Sequence, residues 1–156
     1  MKRSWPFVPL FVIALQAVVA AKGATFVSDS YVGSGVGRFQ FYGRWEHVRR
    51  FRDGRLFGTS SRTASLGAAV TLSFIGTAVQ LYGVRGTGGG HAIITLDGER
   101  FHDLDFYAPH KIVRAVVFTS PVLPQGLHRV TIAALGDARV PGHRSSYINI
   151  SGAVYK

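Results

Sequence analysis

Cysteine is absent from all 156 residues, and that removes three possibilities at once. No disulfide can staple the fold, no thiol can serve as nucleophile or metal ligand, and the chain is no cysteine-anchored bacterial lipoprotein. Acids are scarce as well: eight Asp and Glu stand against eighteen Lys and Arg, for a net charge of +10. The six histidines show no H-x-H or H-x-x-x-H spacing, so there is no zinc signature. Also missing are a G-x-S-x-G elbow, an H-E-x-x-H helix and a P-loop. Asp103 and Asp105 lie two apart on one strand and share a face, a poor arrangement for carboxylates that must flank a glycosidic bond. The glycine runs at 33–37 and 86–90 open no predicted helix and read as flexible loops. No repeat, low-complexity tract or helical period appears beyond the first twenty residues.

What is present begins with a leader-like segment. Lys2 and Arg3 precede an apolar run from Trp5 to Ala20, with Val18 and Ala20 as the small residues before a cleavage point. This is the pattern of a secretory signal peptide over residues 1–20, cut after Ala20 or Ala21. A retained membrane anchor is the alternative, but the run is short for a bilayer span and carries Pro6 and Pro9. The expectation is a secreted, extracellular or periplasmic protein without a membrane span in its mature form. Loss of Lys2 and Arg3 leaves sixteen basic against eight acidic residues, still strongly basic. Residues 21–37 read as an irregular N-terminal segment and 38–156 as one domain with enough chain to bury a core.

Short apolar alternations separated by turn signals divide that domain into about eight strands: 38–45, 68–74, 78–84, 91–96, 99–106, 114–120, 127–135 and 146–155. The fold class is therefore all-β, an antiparallel β-sandwich or jelly roll. If every connection reverses the chain, the tight turns at 75–77, 97–98 and 121–126 fall at one end. The long connections at 47–67, 85–90, 107–113 and 136–145 fall at the other. That loop end gathers Arg49, Arg50, Arg52, Arg55, Arg62, Arg85, Lys111, Arg139 and Arg144, with Arg114 at its margin. Trp45, Phe51, Phe57 and Tyr107 stand beside them. Guanidinium forks grip carboxylate, sulfate or phosphate, and rings stack on sugar faces, so the grouping suits an anionic, partly planar ligand. His128 shares strand parity with Val130 and Ile132 and reads as a packed, hydrogen-bonded core residue.

Four segments taken together resemble a known family. They are Gly43-Arg44-Trp45, the stretch AVTLSFIGTAVQLYG at 69–83, AIITLDG at 92–98, and LPQGLHRVTI at 123–132. In this order they are similar to the galactose-binding-domain-like β-sandwich modules, including carbohydrate-binding modules and the N-terminal modules of some carbohydrate esterases. The likeness runs from about Arg38 to Val154, and its motifs are turns and core strands, so it speaks to fold far more than to ligand. It implies sugar binding through loops at one end or through a sheet face. No Gly-Asp-Ser nucleophile block of an SGNH hydrolase is present.

The resulting expectation is a non-catalytic, secreted carbohydrate-binding module for an acidic or phosphorylated polysaccharide. Its site would comprise Arg85, His91, Tyr107, His143 and Arg144, with Trp45 as a stacking platform. Loss of affinity in Arg85→Ala or Arg144→Ala would mark that site. No catalytic residue, metal ligand or cofactor is assigned. The resemblance implies that a structural calcium is possible, but these loops hold few acids for one. The alternatives are an extracellular structural or protein-interaction domain of a cell-envelope complex, and an accessory subunit of a separate glycan-active enzyme. Basic charge gives nucleic acid non-specific affinity, but secretion argues against it as the physiological partner. The sequon-like Asn149-Ile150-Ser151 lies inside a predicted strand and reads as chance.

Overall fold

The computed structural model describes residues 23–48, 58–136 and 146–156. Within them alternation sets the architecture. In 69–76, Val70, Leu72 and Phe74 are buried while Ala69, Thr71, Ser73 and Ile75 are not, and 91–96 repeats the pattern with Ala92, Ile94 and Leu96. A period of two leaves one face of each strand apolar, and two such faces must close on each other.

The strands are β1 (Thr25–Ser28), β2 (Arg38–Tyr42), β3 (Glu46–Val48), β4 (Ser60–Thr63), β5 (Ala69–Gly76) and β6 (Val79–Arg85). Then come β7 (His91–Leu96), β8 (Glu99–Arg100), β9 (Leu104–Asp105), β10 (Ile112–Thr119), β11 (Gly126–Ala134) and β12 (Ile148–Tyr155). Among the described residues there is no helix. One sheet runs β10-β6-β12-β4-β3, with β1 along the far part of β12; the other runs β2-β5-β11-β7-β8, with β9 also on β7. Every strand pair is antiparallel. Phe39, Leu72, Phe74, Ile94 and Ile132 of the second sheet meet Val79, Leu81, Phe118, Ile148 and Ile150 of the first in a single core. The chain is an all-β antiparallel sandwich.

Each of the eight expected strands is found, 99–106 as the two short pieces β8 and β9. Three more join them. β1 comes from the segment read as irregular, and β3 and β4 come from the stretch read as one long loop at 47–67. That reading of 47–67 is corrected: β3 and β4 pair as a hairpin, Glu46↔Arg62 through Val48↔Ser60, and β4 lies along β12. The buried side of β4 is Ser60, Ser61 and Thr63, which no hydrophobic pattern can flag.

The registers place the turns. Gly126↔Gly76, Val130↔Leu96 and Thr119↔Gln80 put the connections after β5, β7 and β10 at one end. Asp97 and Gly98 both have positive φ, 53° and 83°, as a two-residue hairpin turn of the twisted kind requires. Thr25↔Tyr155 brings the start of β1 to this same end, next to Lys156, whose carbonyl accepts from the amides of Thr77 and Ala78. The opposite end carries Arg85↔Ile112 and the connections at 86–90 and 106–111.

Candidate functional site

The connection after β6 is a clamped ribbon. Gly86 N–H donates to Phe106 O at 3.1 Å, and Ala108 N–H donates to Gly86 O at 3.0 Å. On its other side Gly90 N–H donates to Tyr147 O at 3.0 Å and Tyr147 N–H to Gly88 O at 2.9 Å. The reading of 86–90 as a flexible loop is therefore corrected: its backbone bonds both neighbours. Glycine permits this approach, since a Cβ on Gly89 would stand 1.9 Å from Phe106 O and one on Gly90 2.5 Å from Ser146 O.

Beside this ribbon, at the loop end of the first sheet, opens a cleft of about 430 Å³. Its lining includes Arg62, Arg85, His110, Lys111, Tyr147 and Asn149, with glycines 86, 88 and 89 along one wall. Among the described residues, three cationic residues and no carboxylate line it. Ile148 and Ile150 are fully buried on either side of Asn149, so alternation turns Asn149 outward to the cleft, next to its register partner Arg62. Two atoms there are buried without any hydrogen-bond partner, the Arg85 Nε donor and the Asn149 Oδ1 acceptor. Buried polar atoms in native folds are overwhelmingly paired. A donor and an acceptor buried without partners beside one cleft mark it as polar ground for a hydroxylated, partly anionic ligand.

A second cleft of about 440 Å³ abuts the first, lined by Arg44, Trp45, Glu46, Arg62, Ser65 and Tyr147 among others. Arg62 and Tyr147 line both. The Arg62 guanidinium lies 4.8 Å from the centroid of the Tyr147 ring. It also grips Glu46 as a fork, Nε to Oε2 at 2.8 Å and Nη2 to Oε1 at 3.0 Å. That contact holds the Glu46 carboxyl below its ordinary range. Trp45 is half-buried: its Nε1–H donates to Tyr42 O at 3.0 Å and its ring meets Phe41 at 5.0 Å.

The residues singled out from sequence divide as follows. Arg85 lines the first cleft and Trp45 the second. His91 starts β7 in the other sheet, its Nε2 3.9 Å from Asp105 Oδ1, and does not line either cleft. Tyr107 contributes backbone, bridging Gly86, while its N–H donates to Asp105 Oδ1 at 2.9 Å. His143 and Arg144 lie outside the described residues, as do Arg49, Arg50, Arg52, Arg55 and Arg139. Tyr147 and Asn149 were passed over because both sit in an apolar strand. Strict alternation around Ile148 and Ile150 was the signal that would have found them.

Among the described residues no three His, Cys, Asp or Glu side chains are grouped to hold a metal ion. Asp29, the one buried carboxylate among the described residues, accepts from the hydroxyls of Ser61 at 2.6 Å and of Thr59. Asp103 is engaged by Arg100 at 2.8 Å.

No family model and no curated protein matches the sequence. Solved structures do resemble the fold. A family two carbohydrate esterase from Cellvibrio japonicus is 14% identical with a TM-score of 0.50, matching 85% of this chain and 33% of its own. A two-domain esterase active on acetylated mannans is 12% identical with a TM-score of 0.56, over 85% of this chain and 36% of its own. This chain thus spans about a third of the length of those enzymes. The CBM36-1 domain of a multidomain xylanase from the hindgut metagenome of Trinervitermes trinervoides is 11% identical with a TM-score of 0.50, over 84% of this chain and 94% of its own. At 11–14% identity these likenesses show the fold alone, an antiparallel β-sandwich that this chain shares with parts of those proteins.

Proposed function

We propose that this protein is a secreted, non-catalytic carbohydrate-binding module whose ligand is a polysaccharide bearing acidic groups, held in the cleft beside β6. The observation that carries this reading is the pair of buried, unpartnered atoms, Arg85 Nε and Asn149 Oδ1, beside a cleft lined by Arg62, Arg85 and Lys111 and, among the described residues, by no carboxylate. The guanidinium of Arg85 takes an acidic oxygen of the ligand, and Asn149 accepts from a sugar hydroxyl. Residues Gly86 to Gly89 present a pre-ordered wall, so little loop entropy is lost on binding. Resemblance in fold to modules of enzymes named for mannan and xylan supports a glycan over other partners. Secretion, with residues 1–20 as signal peptide and 38–156 as the binding domain, belongs to the same proposal.

The test is retention by a panel of polygalacturonate, chondroitin sulfate, xanthan, xylan and mannan at low and high salt, on the wild type and Arg85→Ala. Acidic members are expected to be retained in a salt-sensitive way, because exposed charge interactions are screened. Arg85→Ala should lower that affinity about tenfold or more, as loss of a charge-assisted hydrogen bond does, without altering thermal unfolding. Equal retention of both proteins would refute the site. Binding to no glycan would transfer the reading to a protein partner.

A further inference from the structure

The two clefts are neighbours through shared residues, not through mere proximity. Arg62 and Tyr147 form the ridge between them, and each side chain contributes to both linings. The ridge is held from below by the hairpin, since Glu46 on β3 and Arg62 on β4 are register partners, and Arg62 faces Asn149 on β12. Beyond the ridge the chemistry changes. Beside the first cleft lie the buried, unpartnered donor and acceptor, Arg85 Nε and Asn149 Oδ1. The second has an indole backed by Phe41 and an exposed guanidinium, Arg44. Stacking surface and cation together are what a pyranose ring with an acidic substituent meets. Each cleft, at about 430 and 440 Å³, lies in the size range of a small-molecule site.

We propose that the two clefts are subsites of one groove, and that the ligand is a run of adjacent sugar units crossing the Arg62–Tyr147 ridge. The proposal rests on the carbohydrate reading above and adds to it. The protein would recognise the interior of a polymer, with Arg85 and Asn149 gripping one unit and Trp45 and Arg44 the next but one. Arg62, already charged and oriented by Glu46, would lie under the unit between them. Monosaccharides and chain ends would fill one subsite only and bind weakly.

The experiment uses galacturonate and chondroitin sulfate oligomers of increasing length, titrated into the full chain by calorimetry. Affinity should climb steeply once an oligomer is long enough to reach the second cleft, then level off. Arg44→Ala and Trp45→Ala should remove that gain, lowering affinity for long oligomers about tenfold while leaving short ones unchanged. Arg44 is exposed, so its variant keeps the outcome readable if the loss of Trp45 from Phe41 unfolds the chain. Affinity independent of length, or equal losses for short and long oligomers, would overturn the single groove while leaving a one-cleft lectin standing. Binding of no oligomer at all would overturn both.

Discussion

At position 128 an imidazole stands where alternation along β11 asks for an aliphatic side chain. His128 is buried against Phe74 with both ring nitrogens engaged, Nε2 to Pro124 O at 2.8 Å and Nδ1 to Asp97 Oδ2 at 2.7 Å. A carbonyl can only accept, so Nε2 carries a proton, and the carboxylate opposite favours a second on Nδ1. The Asp97 contact, with the Pro124 carbonyl, raises the His128 pKa above 6.5. Burial pushes the Asp97 carboxyl up, but the Arg129 N–H and His128 outweigh it, and its pKa falls below 3.8. A raised histidine pKa gives stability that is complete below pH 6.5 and lost as pH rises through the folded value. The lowered Asp97 value gives stability present above pH 3.8 and lost as pH falls through its own folded value. His128→Asn should therefore cost most between these limits, about 2 kcal/mol near pH 5 by denaturant unfolding, and less at pH 9. A cost that does not vary with pH would exclude the imidazolium. The residue's inward direction was legible from its parity with Val130 and Ile132. Its partners were not, because Asp97 lies in a turn 31 positions away.

Among the elements, β5, β7 and β11 were legible because their buried side, His128 apart, is apolar at every second residue. β3 and β4 were not. Glu46–Val48 is three residues long, and β4 buries hydroxyls, so its place depends on polar pairing that spacing alone cannot reveal. Asp29, just after β1, accepts from Ser61, Thr59 and Ser28, and Ser61 Oγ also meets His47 Nδ1 at 2.7 Å. Burial pushes the Asp29 carboxyl up despite these hydroxyls and the nearby His47. One carboxylate thus ties the segment after β1 to the hairpin that supports the cleft ridge. Asp29→Ala leaves Ser61 and Thr59 without that acceptor and should cost about 2 kcal/mol. Amide exchange at Val48 and at 60–62 should quicken well ahead of that in β5 and β11. Uniform quickening across both sheets would show that the tie is global instead. β10 departs from regular pairing in its own way. Its register against β6 slips between Ile112 and Ala115 and again between Val116 and Phe118, with Arg114 at φ 57° inside the first slip. Bulges of this kind blunt an edge strand against unwanted pairing.

For the molecule as a whole, the assumption of reversing connections and the lengths of 85–90 and 107–113 brought those two to one end, where they lie together beside the cleft. Which side chains reach the cleft was less legible, because His91 belongs to the other sheet and Asn149 hides between two isoleucines. The antiparallel pairing of β1 with β12 has a practical consequence for any binding assay. Outside residues 1–20 the lysines are Lys22, Lys111 and Lys156. Lys111 lines the cleft, whereas Lys156 sits at the opposite end beside the start of β1. Captured on a sensor chip by a tag after Lys156, every copy should point its cleft into the flow and keep full ligand capacity. Random amine coupling should blind the fraction attached through Lys111, which lines the cleft. Equal capacity in both formats would mean that the cleft is not where the glycan binds. Immobilisation chemistry, usually a nuisance in such measurements, here becomes a reporter of which end of the sandwich does the binding.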